Sequence, residues 1–295
     1  MPPTDHAAGV GGSTLDRELA GIDALELPLR PHRDRAARAW SGIWPKLAAI
    51  GIALGAWQLV VWSGIRAEYV LPGPLPVIQR LAADLVASDL PRATVVTLWR
   101  AGLGFGLALL IGSALGLAIV RFRTLRTAVA SLITGLQTMP SIAWFPLAIL
   151  LFGLSETAIL FVVILGAAPS VANGLISGVD QIPRVLLRAA KVLGARGIAR
   201  YRYVIVPGAL PSFVGGLKQG WAFCWRSLMA GELLVVIASQ PSIGTRLQFA
   251  REFSDALGLL STMLVILLIG IVVDALFFGT LDRSIRRRWG LLESA

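Results

Sequence analysis

The chain has 295 residues, 56% of them hydrophobic and only 15% charged, with 27 Lys and Arg against 17 Asp and Glu and a mean hydropathy of +0.74. That balance excludes an ordinary soluble two-domain protein and points to a multi-span membrane protein, whose formal charge of +10 reads as an orientation signal rather than a nucleic-acid surface. The lone Cys224 excludes a disulfide framework or a multi-cysteine metal site, the confinement of histidine to His6 and His32 excludes histidine catalysis inside the membrane, and the lack of any Gly-Lys pair excludes a Walker A loop.

Residues 1–44 make a polar tail with Arg17, Arg30, Arg33, Arg35 and Arg38 and without the features of a cleaved secretory signal. Its beginning reads as disordered, while Arg33 to Trp44, with Trp40 and Trp44 behind the arginines, suits a short helix in the headgroup region. A first span is expected from Leu47 to Ile65. The run Leu71-Pro-Gly-Pro-Leu-Pro76 ends it, because proline offers no amide donor. Val77, Ile78, Leu81, Leu85 and Val86 then recur at helical spacing against Gln79, Arg80, Asp84 and Asp89, which predicts an amphipathic surface helix from Val77 to Leu90.

A second span, Ala101–Val120, carries Gly102, Gly104, Gly106, Gly112, Ser113 and Gly116, small residues that let helix backbones approach closely in lipid. A third, Ala128–Phe152, is interrupted at Gln137, Thr138, Pro140 and Ser141, and backbone groups freed at that depth need protein or water, as in a pathway lining. A fourth, Thr157–Ile176, is predicted to break at Pro169. The connection from Gly178 to Val206 holds Arg184, Arg188, Lys191, Arg196, Arg200 and Arg202 against Asp180 alone, which places it on the inner side. The fifth apolar stretch, Ala209–Ala238, is longer than one hydrocarbon core requires, so it bends or projects. A sixth, Gly258–Phe278, precedes Arg283 and Arg286 to Arg288.

The expectation is an all-α membrane protein of six transmembrane helices with both termini cytoplasmic. Its parts are the tail 1–44, a membrane domain 45–285 with a cytoplasmic loop at about 178–206, and a second cytoplasmic tail, 286–295. Most basic residues then fall inside, with Arg100 counted in an outer loop.

Within the cytoplasmic loop, Val185 to Leu193 favours a short helix, Gly194 allows a sharp turn, and Arg200 to Tyr203 favours a second helix that Pro207 stops. Ala189, Ala190, Leu193 and Ala195 form a small apolar face for a partner's groove; a plain amphipathic loop on the headgroups is the alternative. Arg188-Ala189-Ala190, then Gly194, then Val204, Val206 and Pro207 resemble the Glu-Ala-Ala loop of the inner-membrane permeases of bacterial ATP-binding cassette importers. Arg188 departs from the family's glutamate, so no salt bridge from that acid is carried over. Leu71-Pro-Gly-Pro and Met139-Pro-Ser-Ile-Ala-Trp-Phe-Pro-Leu resemble the nitrate, sulfonate, taurine and bicarbonate branch.

The resemblance implies the type I importer architecture. It also implies coupling to the ATPase through Arg188, Ala189, Ala190, Leu193, Gly194 and Ala195. The implied partners are two cytoplasmic ATP-binding cassette subunits, a second permease copy, and an extracytoplasmic solute-binding protein that meets the loops near Pro72 and Ser239. Membrane lipid surrounds the assembly, and no nucleic acid or cofactor is called for, ATP and Mg residing on the partner ATPase. The permease itself is then not an enzyme, and its solute is an oxyanion such as sulfonate, taurine or nitrate.

Charges inside a span cost about 2.5 to 3.5 kcal/mol each on insertion scales, so Lys218, Arg226 and Glu232 in the fifth stretch need a role. With Gln137 they are the candidates for a translocation path, Arg226 and Lys218 giving it a positive lining; equally, Arg226 and Glu232 pair with polar atoms of neighbouring helices. Asp274 reads as structural, and Trp221, Phe223 and Trp225 as packing residues. A self-sufficient secondary transporter or channel, the competing class, would depend on intramembrane acids, of which only Glu232 and Asp274 are present.

Overall fold

The structure, a computed structural model, describes residues 35–237 and 240–288. The start of the N-terminal tail, Ala238, Ser239 and the chain after Arg288 lie outside the described residues, and with them the expected disordered beginning, the loop contact at Ser239 and most of the C-terminal tail. The regular structure among the described residues is helical, and the chain divides into two compact units, Met1–Ser63 and Gly64–Ala295.

In the first unit a single helix, α1 (Arg35–Trp62), contains Pro45 and runs from the arginine–tryptophan stretch straight through the apolar run. Among the described residues, Arg35 to Trp44 and the apolar run belong to one helix. In the second unit α2 (Pro74–Ala87) starts on prolines, which cost nothing in a first turn because the missing amide would have no partner there. Its apolar side packs Leu81 beside Leu90, Ile243 and Val265. Asp84, expected on the wet face, is buried instead between two arginines.

Helix α3 (Leu90–Arg121) begins well before the predicted Ala101, so Arg100 belongs to a helix rather than to an outer loop. Gly104, Gly112 and Gly116 are buried along it, whereas a side chain at Gly102 or Gly106 would meet nothing. α4 (Arg123–Thr138) and the segment Ser141–Phe152, a short 3-10 turn followed by α5 (Phe145–Phe152), meet at 98°. The predicted break in the third stretch is therefore a sharp corner at Met139 and Pro140. α6 (Glu156–Asp180) starts on the Ser155 side chain, which accepts from Ala158 N–H, and runs unbroken through Pro169. The predicted break there does not occur: buried packing on both sides holds the helix although Pro169 supplies no amide.

α6 is the centre of the second unit, packed between α3 and α8 (Val206–Leu234). Its contact with α8 is close enough that a Cβ built on Gly174 would lie 2.6 Å from Gly216 Cα. Two backbones in van der Waals contact give dispersion energy and a shared surface that lipid cannot replace. α9 (Ile243–Glu252) and α10 (Ala256–Val273) follow, then a π-helical turn, Asp274–Phe278, and α11 (Gly279–Arg288).

The expectation of six spans is corrected. Among the described residues four helices are long and apolar enough to cross a membrane, Trp44–Trp62, Leu90–Arg121, Glu156–Asp180 and Ala256–Ile285, and the bent pair Ser131–Thr138 with Ser141–Phe152 makes at most a fifth. α8 has the length but not the apolar composition, since Lys218, Gln219, Arg226 and Glu232 interrupt it. The bias of basic residues that places both termini inside was counted over six spans, so it falls with that count.

Candidate functional site

At one end of the α3–α6–α8 bundle, where α3 and α6 finish and α8 starts, the chain makes an elbow. α7 (Arg184–Val192) follows Pro183 and ends at Gly194, whose φ of +80° is the left-handed conformation that costs an ordinary residue roughly 1–2 kcal/mol. Gly194 N–H donates to Lys191 O at 3.2 Å and Ala195 N–H to Ala190 O at 2.9 Å, which closes the helix end. One helical turn, Ile198–Arg200, and a π-helical turn, Tyr201–Ile205, then lead directly into α8. Pro207 does not stop that second helix; it sits in the first turn of α8, where its missing amide is tolerated.

Arg188, Ala189, Leu193 and Gly194 are exposed on this elbow and Ala195 is partly so, while Ala190 turns inward and is buried. Val192 and Leu193 are 88% and 84% exposed. Among the described residues these large aliphatic side chains at the tip of a basic turn are left uncovered, a pattern that marks contact surfaces rather than solvated loops. The ion pair between Arg126 and Asp180 joins α4 to α6 beside it.

Further along α8, Gly215, Lys218, Gln219, Ala222 and Arg226 recur at helical spacing on its exposed side. Lys218 Nζ pairs with Asp274 Oδ1 at 3.0 Å, at the head of the π-helical turn. The Arg226 guanidinium lies 4.6 Å from the Phe223 ring centre and its Nε donates to Ala222 O of its own helix at 3.1 Å. These groups line a groove of about 660 Å³ together with Trp221 and Trp225, whose rings are stacked 6.2 Å apart. Lys218 and Arg226 thus come together. Gln137 sits at the α4 corner, donating to Ser170 Oγ at 3.1 Å and accepting from Asn173 Nδ2 at 3.3 Å on α6.

Glu232 is placed differently. It is 0% exposed at the opposite end of the bundle, where α3 and α6 begin and α8 finishes. Arg100 Nη1 donates to it at 3.0 Å, the Thr97 hydroxyl at 2.9 Å and Gly244 N–H at 3.0 Å. Arg100 also forks onto Glu156, at 2.6 and 2.9 Å, and reaches Gln240 Oε1 at 3.3 Å, while Thr97 Oγ1 accepts from Ile243 N–H at 3.0 Å. This one network joins α3, α6 and α8 to the start of α9. A buried ion pair persists only when its remaining hydrogen-bonding groups are met, and here they are. Arg100, Thr97, Glu156 and Gly244 were not singled out by sequence reasoning; the signal available was Pro91, a helix-start residue placing Arg100 inside a helix.

The bent and polar-striped helices, the elbow and the missing nucleotide loop agree with the comparisons. Residues 108–287 match the family described as binding-protein-dependent transport system inner membrane component. The chain belongs to that family. The permease is 30% identical over 237 residues to a putative ABC transporter permease protein of Methanocaldococcus jannaschii, covering 78% of this chain and 88% of that one. To a putative aliphatic sulfonates transport permease protein of Escherichia coli it is also 30% identical, over 78% of this chain and 86% of the other, and to the taurine transport system permease protein of that organism 29%, over 77% and 84%. Its fold is similar to that of the inward-facing MetNI methionine ABC transporter, at a TM-score of 0.56 and 18% identity over 67% of this chain and 95% of that one. The protein is the multi-pass, membrane-spanning permease subunit of an ABC importer, with the type I importer permease fold, and is not itself the ATP-hydrolysing enzyme.

Proposed function

We propose that two copies of this permease form a solute path and dock two cytoplasmic ATP-binding cassette subunits through Arg188, Ala189, Ala190, Leu193, Gly194 and Ala195, while an extracytoplasmic solute-binding protein delivers solute at the end that holds Arg100 and Glu232. The observation that carries this reading is the elbow between α6 and α8. It exposes Val192 and Leu193 on a turn rich in arginine, continuous through a π-helical turn with the helix that bears Lys218 and Arg226. A force applied to the elbow is thereby delivered along α8, because a helix resists compression and its seam with α6 is close-packed.

The polar stripe on α8 supports a second copy. Lys218, Gln219 and Arg226 facing hydrocarbon would cost several kcal/mol by the roughly 2.5 to 3.5 kcal/mol per central charge of insertion scales, and a water-lined seam between two copies removes that cost. In this path Lys218 is partly neutralised by Asp274. Arg226, which has no ion pair with an acid among the described residues, supplies the positive lining for an oxyanion such as sulfonate, taurine or nitrate; the names of the taurine and sulfonate relatives point the same way. Gln137 would join the path from the α4 corner, where it is held by Ser170 of α6, and Glu232 holds the end of α8 through Arg100.

Purified complex tests the assembly: the expected composition is two identical permeases with two ATPase subunits, and a second, different permease would contradict it. The solute reading is tested by identifying, by mass spectrometry, the molecule that the partner binding protein carries. With that molecule in hand, Arg226→Gln is expected to slow its uptake by roughly tenfold, the loss of one charge-assisted contact; unchanged uptake of an anionic solute would remove Arg226 from the path.

A further inference from the structure

Within the apolar body of α6, polar side chains are confined to the elbow half. From Ala158 to Pro169 the helix carries none, whereas Ser170, Asn173, Ser177 and the capping residue Gln181 follow at spacings of three and four, which puts them on one face. Two neighbouring helices border that face. From α4, Gln137 Nε2 donates to Ser170 Oγ at 3.1 Å, and Gln137 Oε1 accepts from Asn173 Nδ2 at 3.3 Å. From α8, the Ser212 hydroxyl donates to Gln181 Oε1 at 2.6 Å. The polar face of α6 is thus the floor of the gap between α4 and α8, both of which pack on it.

Asn173 borders this gap where α6 and α8 come closest. It precedes Gly174 as Gly215 precedes Gly216, the two glycines whose backbones touch. Both Asn173 and Gly215 are exposed, and a Cβ at Gly215 would meet nothing. From Gly215 the exposed stripe of α8 continues through Gln219 to Arg226, away from the elbow. The corner that ends α4, at Met139 and Pro140, is exposed as well, and irregular backbone at membrane depth is tolerated only against protein or water. Amides turned towards hydrocarbon would be equally ill placed, so the gap reads as a wetted one.

We propose that Asn173 and Gln137, braced on Ser170, form a neutral station for an oxyanion between Arg226 and the elbow. The inference rests on the reading of Arg226 as the lining of an anion path and adds the next binding step and the residues that make it. Each amide NH2 carries a second hydrogen beyond the one engaged above, so the pair offers two donors to a sulfonate or carboxylate oxygen. Ser170 is 1% exposed on the α6–α8 seam, which gives the chain from Asn173 through Gln137 a fixed end. Hydrogen bonds from neutral donors are weaker than those from a guanidinium, and a path conducts only when its sites release what they bind.

The test uses the permease–ATPase complex in nanodiscs, in a Cys224→Ser background, with Gly215→Cys as the reporter and mass spectrometry of the permease as the readout. The probes are two methanethiosulfonate reagents, one bearing a sulfonate and one uncharged, each rate being taken relative to that with free mercaptoethanol. Adding Asn173→Asp is expected to slow the sulfonate reagent at residue 215 by roughly tenfold and to leave the uncharged one unchanged. Asn173→Leu, which removes a donor without adding charge, is expected to slow the sulfonate reagent by about threefold. Ala222→Cys, in the groove beside Arg226, reports on the path itself. If residue 222 reacts with the sulfonate reagent but residue 215 does not, or if Asn173→Asp slows both reagents alike or neither, the station is lost and the anion path stands. If residue 222 also excludes the sulfonate reagent, the path reading fails with it. Should Gly215→Cys not assemble, Gln219→Cys takes its place on the same stripe.

Discussion

The two ends of the α3–α6–α8 bundle solve opposite problems. At the Glu232 end, buried charges are matched within the chain, Arg100 being shared by Glu156 and Glu232 and the carboxylate of Glu232 capped by Thr97 and Gly244 N–H. At the elbow, basic residues and bare aliphatic side chains project uncovered by any of the described residues. Satisfied polar networks fix a shape, whereas unmatched apolar surface asks for a partner. The difference teaches that one end of this permease is built to keep α3, α6, α8 and α9 in register, while the other leaves apolar surface open, the surface through which the proposed function has it receive force.

That contrast is broken most severely at the buried end. Glu232→Ala leaves Arg100, Thr97 and Gly244 N–H without their common acceptor, and the expected destabilisation is about 3–5 kcal/mol, seen as loss of monodisperse protein on heating in detergent. A variant that elutes and melts like wild type would show that the network is not what holds this end. Next in size is Gly174→Leu, which inserts a side chain where Gly216 Cα lies within 2.6 Å of a built Cβ. Overpacking of this kind is expected to cost about 1–3 kcal/mol and to lower the same melting midpoint.

The elbow sharpens the contrast from the other side. Gly194→Val places a β-branched residue at a φ of +80°, a local cost of about 1–2 kcal/mol that the rest of the bundle does not feel. Melting is expected to change little while ATPase activity in the assembled complex falls. Leu193→Asp is the smallest perturbation of the fold, within about 0.5 kcal/mol, since the side chain is 84% exposed. Its expected signature is a permease that purifies normally but no longer retains the ATPase through size exclusion; normal retention would take Leu193 out of the contact.

Much of the elbow was readable in the residues. Gly194 as the turn, a first helix expected at Val185 to Leu193 and found at Arg184–Val192, and the run of arginines follow from local rules of helix capping and charge, which act over a few residues. Prolines misled where tertiary packing decides: Pro169 lies inside a continuous α6 and Pro207 in the first turn of α8, because neighbouring helices and a π-helical turn accommodate them. The bend at Pro140 came out as expected, since there Met139 and Pro140 leave the helix altogether. The count of spans went astray because apolar length was taken as sufficient, although α8 carries too many polar side chains. Glu232 was visible as a charge needing a reason. Its partners were not, since Arg100 lies 132 positions away in sequence and only the packing of α3 on α8 brings them together.

Cysteine cross-linking from the two ends, in a Cys224→Ser background, tests the central claim most directly. Cells expressing the assembled importer would carry either Leu193→Cys or Phe253→Cys and be treated with a short bifunctional thiol-to-amine reagent. The account predicts that the probe at residue 193 captures the nucleotide-hydrolysing subunit and that the probe at residue 253 does not. Capture of that subunit from residue 253, or its absence from residue 193 in a complex that still hydrolyses ATP, would contradict it.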